Sequence, residues 1–293
     1  MSPAVRANLQ IHLCVVLWGF TAILGKLISL PAFELVWWRM WLVAGALLLL
    51  PRVWRALAVL PRRMVLVYCG IGLLVALHWL TFYGAIKLAN ASVAAVCMAF
   101  APVFVALVEP ALVGRRFELR ELLIGIAAIP GVALVIGGTP AEMQIGIVVG
   151  AISALLAALF GTLNKRYVMQ ADPLVVTGLE LAAGAVFLTV AAPLLPGPGS
   201  LPGLPGARDG LLLVVLAYLC TLLPFALSLV ALRHLSAFTA QLAVSLEPVY
   251  AIVLAILLLG EQRELSVAFY VGVVIVLGAV FVHPLIARRR AYA

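Results

Sequence analysis

The sequence predicts an all-α integral membrane protein: ten transmembrane helices in two five-helix halves of inverted topology, with both termini cytoplasmic. Three observations predict it. The 293 residues are 66% hydrophobic and 10% charged, with a mean hydropathy of +1.24, whereas a soluble globular domain is about half apolar and roughly a quarter charged. The chain is punctuated into ten apolar segments, each near the length of about 20 residues that a helix needs to cross a bilayer. Landmarks of the first half also recur, in order, in the second.

The segments follow one another at 9–29, 32–51, 64–87, 91–113, 119–138, 143–164, 172–195, 210–232, 236–258 and 264–286. The first begins after a lone Arg6, as a signal peptide would. Its apolar run passes Trp18 and reaches Ile28, longer than a signal h-region, and no small-residue cleavage site follows, so it reads as a retained first span. Most connections are very short, so successive helices are antiparallel neighbours. The exception is 195–209, LPGPGSLPGLPGARD, whose proline and glycine content predicts a loop.

Orientation follows from where the cations fall. With the N-terminus inside, Arg6, Arg52, Arg55, Arg62, Arg63, Arg115, Arg116, Arg120, Lys165, Arg166, Arg233, Arg288, Arg289 and Arg290 are cytoplasmic, while Lys26, Lys87, Arg208 and Arg263 are outside. This is the positive-inside bias. It also accounts for the net charge of +8 without a nucleic-acid partner. Cys14, Cys69, Cys97 and Cys220 all lie within apolar runs and form no C-x-x-C pair, so neither a metal site nor a disulfide framework is expected.

Shifting the first half by 139 residues brings Lys26 onto Lys165 and Ala44-Gly45-Ala46 onto Ala183-Gly184-Ala185. A shift of 146 brings Lys87 onto Arg233, Ala101-Pro102-Val103 onto Glu247-Pro248-Val249, and Gly114, Glu118 and Leu119 onto Gly260, Glu264 and Leu265. Residues 1–138 and 143–293 are thus read as two copies. Five spans per copy is an odd number, so the second copy enters from the opposite side of the membrane. That arrangement is characteristic of secondary transporters. Enzyme signatures such as H-E-x-x-H or G-x-S-x-G are missing from the sequence, and no selectivity-filter loop suggests a channel.

ALRHLSAFTAQLAVSLEPVYAIVLAILLLGEQRELSVAFYVGVVIVLGAVFV at 231–282 resembles the EamA domain of the drug/metabolite transporter superfamily. LWGFTAILGKLIS and FYGAIKLANASVAAVCMAFAPVFVALVEPALVGRRFEL in the first half resemble the first copy of that domain. The aromatic-rich first half and the overall length look most like YddG-type amino-acid exporters. The resemblance implies a basket of helices around a central cavity and export of amino acids across the bacterial inner membrane by alternating access. It implies no cofactor, small-molecule substrate and lipid bilayer as the partners, and a monomer or weak dimer. Other small metabolites, drugs or nucleotide sugars are the alternative substrates within the superfamily, and an intramembrane enzyme is the alternative outside it. Related small multidrug transporters use a carboxylate in their first helix; neither the first nor the sixth span here has one at mid-depth.

Candidate site residues follow from depth and helical face. His78 and Phe82 share one face of the third span, with Tyr83 beside them. A histidine within a span is either functional or tied to a neighbouring helix carbonyl. Trp18 sits deep in the first span, Met98 in the fourth, Asn164 at the inner end of the sixth and Tyr250 in the ninth. The polar members of this set are expected to hold the amino and carboxylate groups of a substrate, the aromatics and Met98 its side chain. Pro102 and Pro248 are equivalent, and each is expected to kink its helix and serve as a hinge. Glu180 lies about eight residues into its span and needs a partner or a wet cavity. Glu247 corresponds to Ala101, which leaves it as either a structural acceptor at the kink or a protonatable substrate contact. Arg39, within the second span, is expected to snorkel outward or to pair with a neighbour such as Glu34.

Overall fold

The computed structural model describes residues 2–114, 116–117, 119–194, 201–244 and 246–290, with side chains described throughout except at 120–122, 124–129, 241–242 and 280–290. Arg115, Glu118 and residues 195–200 of the proline-rich connection lie outside the described residues, as do the side chains of Arg120, His283 and Arg288 to Arg290.

Helix occupies every one of the ten predicted segments, and no strand occurs among the described residues. The helices are α1 (Pro3–Leu27), α2 (Ala32–Leu48), α3 (Pro51–Val59), α4 (Arg62–Leu88), α5 (Ala91–Met98), α6 (Ala101–Val113), α7 (Leu119–Gly137), α8 (Gln144–Tyr167), α9 (Pro173–Ala191), α10 (Ala207–Ala217), α11 (Leu223–Leu232), α12 (Ala237–Val244), α13 (Glu247–Leu259) and α14 (Val267–Arg290). Six stretches of the described residues are long and apolar enough to cross a membrane: α1, α4, α5 with α6, Ala141–Tyr167, Pro173–Leu194 and Ala207–Leu232. The pair α2 and α3 would make a seventh but for a bend of 86° between them, and Glu247–Leu259 and Val267–Ala279 are shorter apolar helices.

Local chemistry sets the helix ends. Ser2, Asn90 and Asp172 cap α1, α5 and α9 by accepting the amides of Val5, Val93 and Leu174 at 3.3, 2.9 and 3.0 Å, which satisfies donors that a helix start leaves open. Gly114 and Gly260 end α6 and α13 in the left-handed region, at φ 77° and 72°, where a side chain is penalised. They are 146 residues apart, the same offset that relates the sequence halves.

Two expectations change. The second segment does not run straight to Pro51: the chain turns at Leu49 and Leu50 and starts α3, because Pro51 has no amide to continue a helix but fits a first position. Pro102 and Pro248 do not kink a continuous helix. Each sits at the second position of a new helix, after turns at Ala99–Phe100 and at Leu246, where its missing amide costs nothing.

Packing brings distant parts of the chain together in matched sets. α4 lies against α8, as α11 lies against α1; α6 lies against α8, as α13 lies against α1. α2 packs on α9, α7 on α14, and α5 on α13. Close approach depends on glycine where backbones meet. A Cβ on Gly72 would overlap the carbonyl of Glu180, and Gly131 and Gly272 face each other's carbonyls at 2.7 and 2.5 Å from the would-be Cβ. Small residues at helix contacts are how membrane helices reach each other's backbones.

Candidate functional site

A cavity lies among α1, α2, α4, α5, α6, α8, α11, α12 and α13, with about 980 Å³ of empty space counting the part open to solvent. One end is made by Arg39, Trp79 and Phe82; the wall continues past Trp18, His78, Met98, Phe160 and Phe225 to Asn164, Ser228, Leu232 and Ala240. Glu247, at the start of α13, also lines it.

Arg39 is buried, with 1% of its surface exposed. Its guanidinium carbon stands 3.8 Å above the Trp79 ring. Nε donates to Thr221 Oγ1 at 2.6 Å, Nη1 to the Tyr83 hydroxyl at 2.7 Å, and Nη2 to the carbonyl of Cys220 at 3.5 Å. Thr221 and Cys220 belong to a π-helical turn, Tyr218–Leu222, between α10 and α11; such turns free backbone groups and recur at functional sites. Thr221 passes the chain on by donating to Leu216 O at 2.6 Å. Among the described residues no carboxylate lies within 4.0 Å of Arg39. The expectation that Arg39 snorkels outward or pairs with Glu34 is therefore corrected. Its three-way hold by Trp79, Tyr83 and Thr221 keeps it inside and leaves its charge facing the cavity.

His78 shows the carbonyl tie that its sequence position allowed: Nδ1 donates to Ser153 O at 2.9 Å, while Ser153 Oγ lies 2.8 Å from the same nitrogen and donates to His78 O at 3.0 Å. A carbonyl only accepts, so Nδ1 carries the proton and Nε2 is left as an acceptor in the neutral ring. The ring itself lines the cavity beside Phe160, with centroids 5.2 Å apart.

Trp18, His78, Phe82, Met98, Asn164 and Glu247 are thus brought to one cavity. Tyr83 and Tyr250 are not. Tyr83 is fully buried and turned to Arg39, its ring packed over Gly25. Tyr250 is 40% exposed; α13 buries Glu247, Pro248, Ala251, Ile252 and Ala255, and Tyr250 falls outside that stripe. Glu180 stands behind the wall. It is buried without exposure, and its Oε2 accepts from Asn164 Nδ2 at 3.3 Å. Asn164 Oδ1 and Thr21 Oγ1, on residues of the cavity wall, and Glu180 Oε1 behind it are buried with no hydrogen-bond partner; the two wall groups can accept from what enters the cavity. Pro102 and Pro248 are buried at their helix starts and do not line the cavity. Arg39 is the residue that sequence reasoning missed. The signal available was its position alone, an ionisable group well inside a span.

Comparison with known proteins agrees with this architecture. The sequence profile of the EamA-like transporter family matches twice, over residues 5–137 and 144–283. The protein named uncharacterized transporter PA0485, from Pseudomonas aeruginosa, is 30% identical over 263 residues, 86% of this chain and 84% of that protein. A crystal structure 20% identical in sequence superposes with a TM-score of 0.67 over 96% of this chain and 98% of its own, which shows a shared fold. Apolar helices around a common cavity, and one family matched across both halves, make this multi-pass membrane transporter a member of the EamA-like transporter family.

Proposed function

We propose that the chain is a secondary transporter that exports amino acids across the bacterial inner membrane by alternating access, with ten spans, both termini cytoplasmic, and residues 1–138 and 143–293 as inverted repeats. One observation carries the substrate class. Buried Arg39, with no carboxylate within 4.0 Å among the described residues, and buried Glu247 share a cavity whose remaining wall is mostly apolar and aromatic. A guanidinium held away from water costs several kcal/mol unless it is compensated. Cation–π contact with Trp79, worth about 2 kcal/mol or more when desolvated, and the hydrogen bonds to Thr221, Tyr83 and the Cys220 carbonyl offset part of that. The α-carboxylate of an amino acid supplies the rest, its ammonium group meets Glu247, and Trp18, His78, Phe82 and Met98 hold the side chain. Asn164, backed by Glu180, offers a polar contact at the other end of the cavity. The matched helix contacts and the equivalent glycine caps support two copies of inverted topology, and the breaks before Pro102 and Pro248 support a hinge in each.

The test is counterflow of labelled amino acids in proteoliposomes containing the purified protein, with and without a pH gradient. Accumulation of label against unlabelled amino acid is expected. Failure of every amino acid, with flux of a nucleotide sugar or a cationic drug, would assign the chain to another branch of its superfamily.

A further inference from the structure

The turn between α2 and α4 carries chemistry that the cavity does not use. α3 leaves α2 at 86°, so where α2 crosses the bilayer α3 lies along its surface. Its nine residues present three sides. Val53, Ala56 and Leu57 face the protein, where α3 packs on α9. Arg52 and Arg55, one turn apart, form a second, exposed side; Trp54 and Ala58 form a third. Trp54 is 56% exposed, and its Nε1 donates to Leu48 O at 2.5 Å, using a carbonyl that the end of α2 leaves open. Leu49 and Leu50, exposed just before α3, add to the apolar surface. Arg62 and Arg63 follow at the start of α4, both exposed. Arg52 is partly committed to Asp172 at 2.6 Å, yet its side chain remains 68% exposed.

An apolar, Trp-bearing side next to an arginine side on a helix lying in the membrane plane is the pattern of an interfacial helix. Guanidinium groups recognise phosphate oxygens by paired hydrogen bonds, and basic clusters beside a span attract anionic lipid. We infer that α3, together with Arg62 and Arg63, is a binding site for anionic phospholipid headgroups in the leaflet that faces the cytoplasm, with Trp54 and the flanking leucines seated at the level of the upper acyl chains.

Trp54 reports on this directly and independently of transport. The full-length protein and its Trp54→Phe variant are reconstituted in phosphatidylcholine vesicles containing a small fraction of brominated phosphatidylglycerol, and the difference in fluorescence quenching isolates Trp54. Quenching at least about threefold above that given by the same fraction of brominated phosphatidylcholine is expected. It should fall as salt is raised, weaken but not vanish when Arg52, Arg55, Arg62 and Arg63 are all replaced by Lys, which keeps the charge without the paired contacts, and drop to the bulk level when all four are replaced by Gln. Equal quenching by the two brominated lipids overturns the inference, as does its absence with both. Loss of the excess on adding inorganic phosphate at constant ionic strength overturns it too, since the site would then serve a soluble anion. The salt series on the unaltered chain decides the matter if the Gln variant fails to fold.

Discussion

Arg39 is held by contacts that depend on the shape of its head group. The planar guanidinium stacks on Trp79 while its edge nitrogens reach Tyr83 and Thr221, and an ammonium offers neither the plane nor the fork. Arg39→Lys is therefore expected to weaken substrate binding roughly tenfold or more even though charge is retained, as measured by binding of labelled substrate to purified protein. The proposed division of labour makes a sharper prediction. Arg39→Gln should lower affinity for an intact amino acid but change little for its carboxamide, which offers no carboxylate. Glu247→Gln should lower affinity for the intact amino acid but change little for its N-acetyl derivative, which offers no ammonium group. Losses of equal size for both analogues in both variants would mean that the two residues shape the cavity rather than read the two ends of the substrate. Glu247→Gln also separates the two roles left open for it. If flux and its pH dependence both survive the change, Glu247 carries no proton.

Among the elements, the sharpest contrast is between glycines that meet backbone and one that does not. A Cβ at Gly72 would overlap the carbonyl of Glu180, whereas nothing lies within 4 Å of one at Gly45. Gly72→Ala has no flexible side chain to push aside, so it must part α4 from α9, at a cost of about 1–3 kcal/mol or more. Gly45→Ala, in the last turn of α2, is expected to be neutral or to stabilise by up to about 1 kcal/mol. Thermal unfolding of the two variants in detergent, followed by size-exclusion chromatography, checks both. The long helices were legible because ten apolar runs of near-uniform length admit no other structure in lipid. α3 was not. It has nine residues, too few for a periodic signal, and its arginines read equally well as a cytoplasmic connection. The prolines were legible as a repeated landmark but not as helix starts, because a proline within an apolar run looks the same whether it bends one helix or opens another. Arg39 stayed hidden for a different reason. Its partners Trp79, Tyr83 and Thr221 come from two other elements, and no local spacing encodes a contact across 182 residues of chain.

At the scale of the molecule, the cavity is not symmetric with respect to its two ends. One end is closed by Arg39 with Tyr83, Trp79 and Thr221, joining α2, α4 and the π-turn before α11. The wall then runs on through Ser228, Leu232, Ala237 and Ala240, toward the face where Lys165 donates to the carbonyl of Leu232 at 2.7 Å and Arg233 to that of Ala171 at 2.8 Å. Under the orientation proposed above, this face is the cytoplasmic one. The inverted halves proposed above would give a second state in which access to the cavity exchanges between the Arg39 end and the Leu232 end. Two thiols read this out. Cys220, 2% exposed and bonded through its carbonyl to Arg39, marks one end, and a cysteine replacing Ala240, which lines the cavity, marks the other. Each is placed alone in a chain whose remaining cysteines are changed to serine. Without substrate, Ala240→Cys should react with a small hydrophilic maleimide faster than Cys220. A substrate gradient that shifts the population should then raise the rate at one site and lower it at the other. Population shift between two rigid arrangements requires opposite signs; rates that rise or fall together would mean that the cavity opens by loosening as a whole, and the alternating-access reading would be lost.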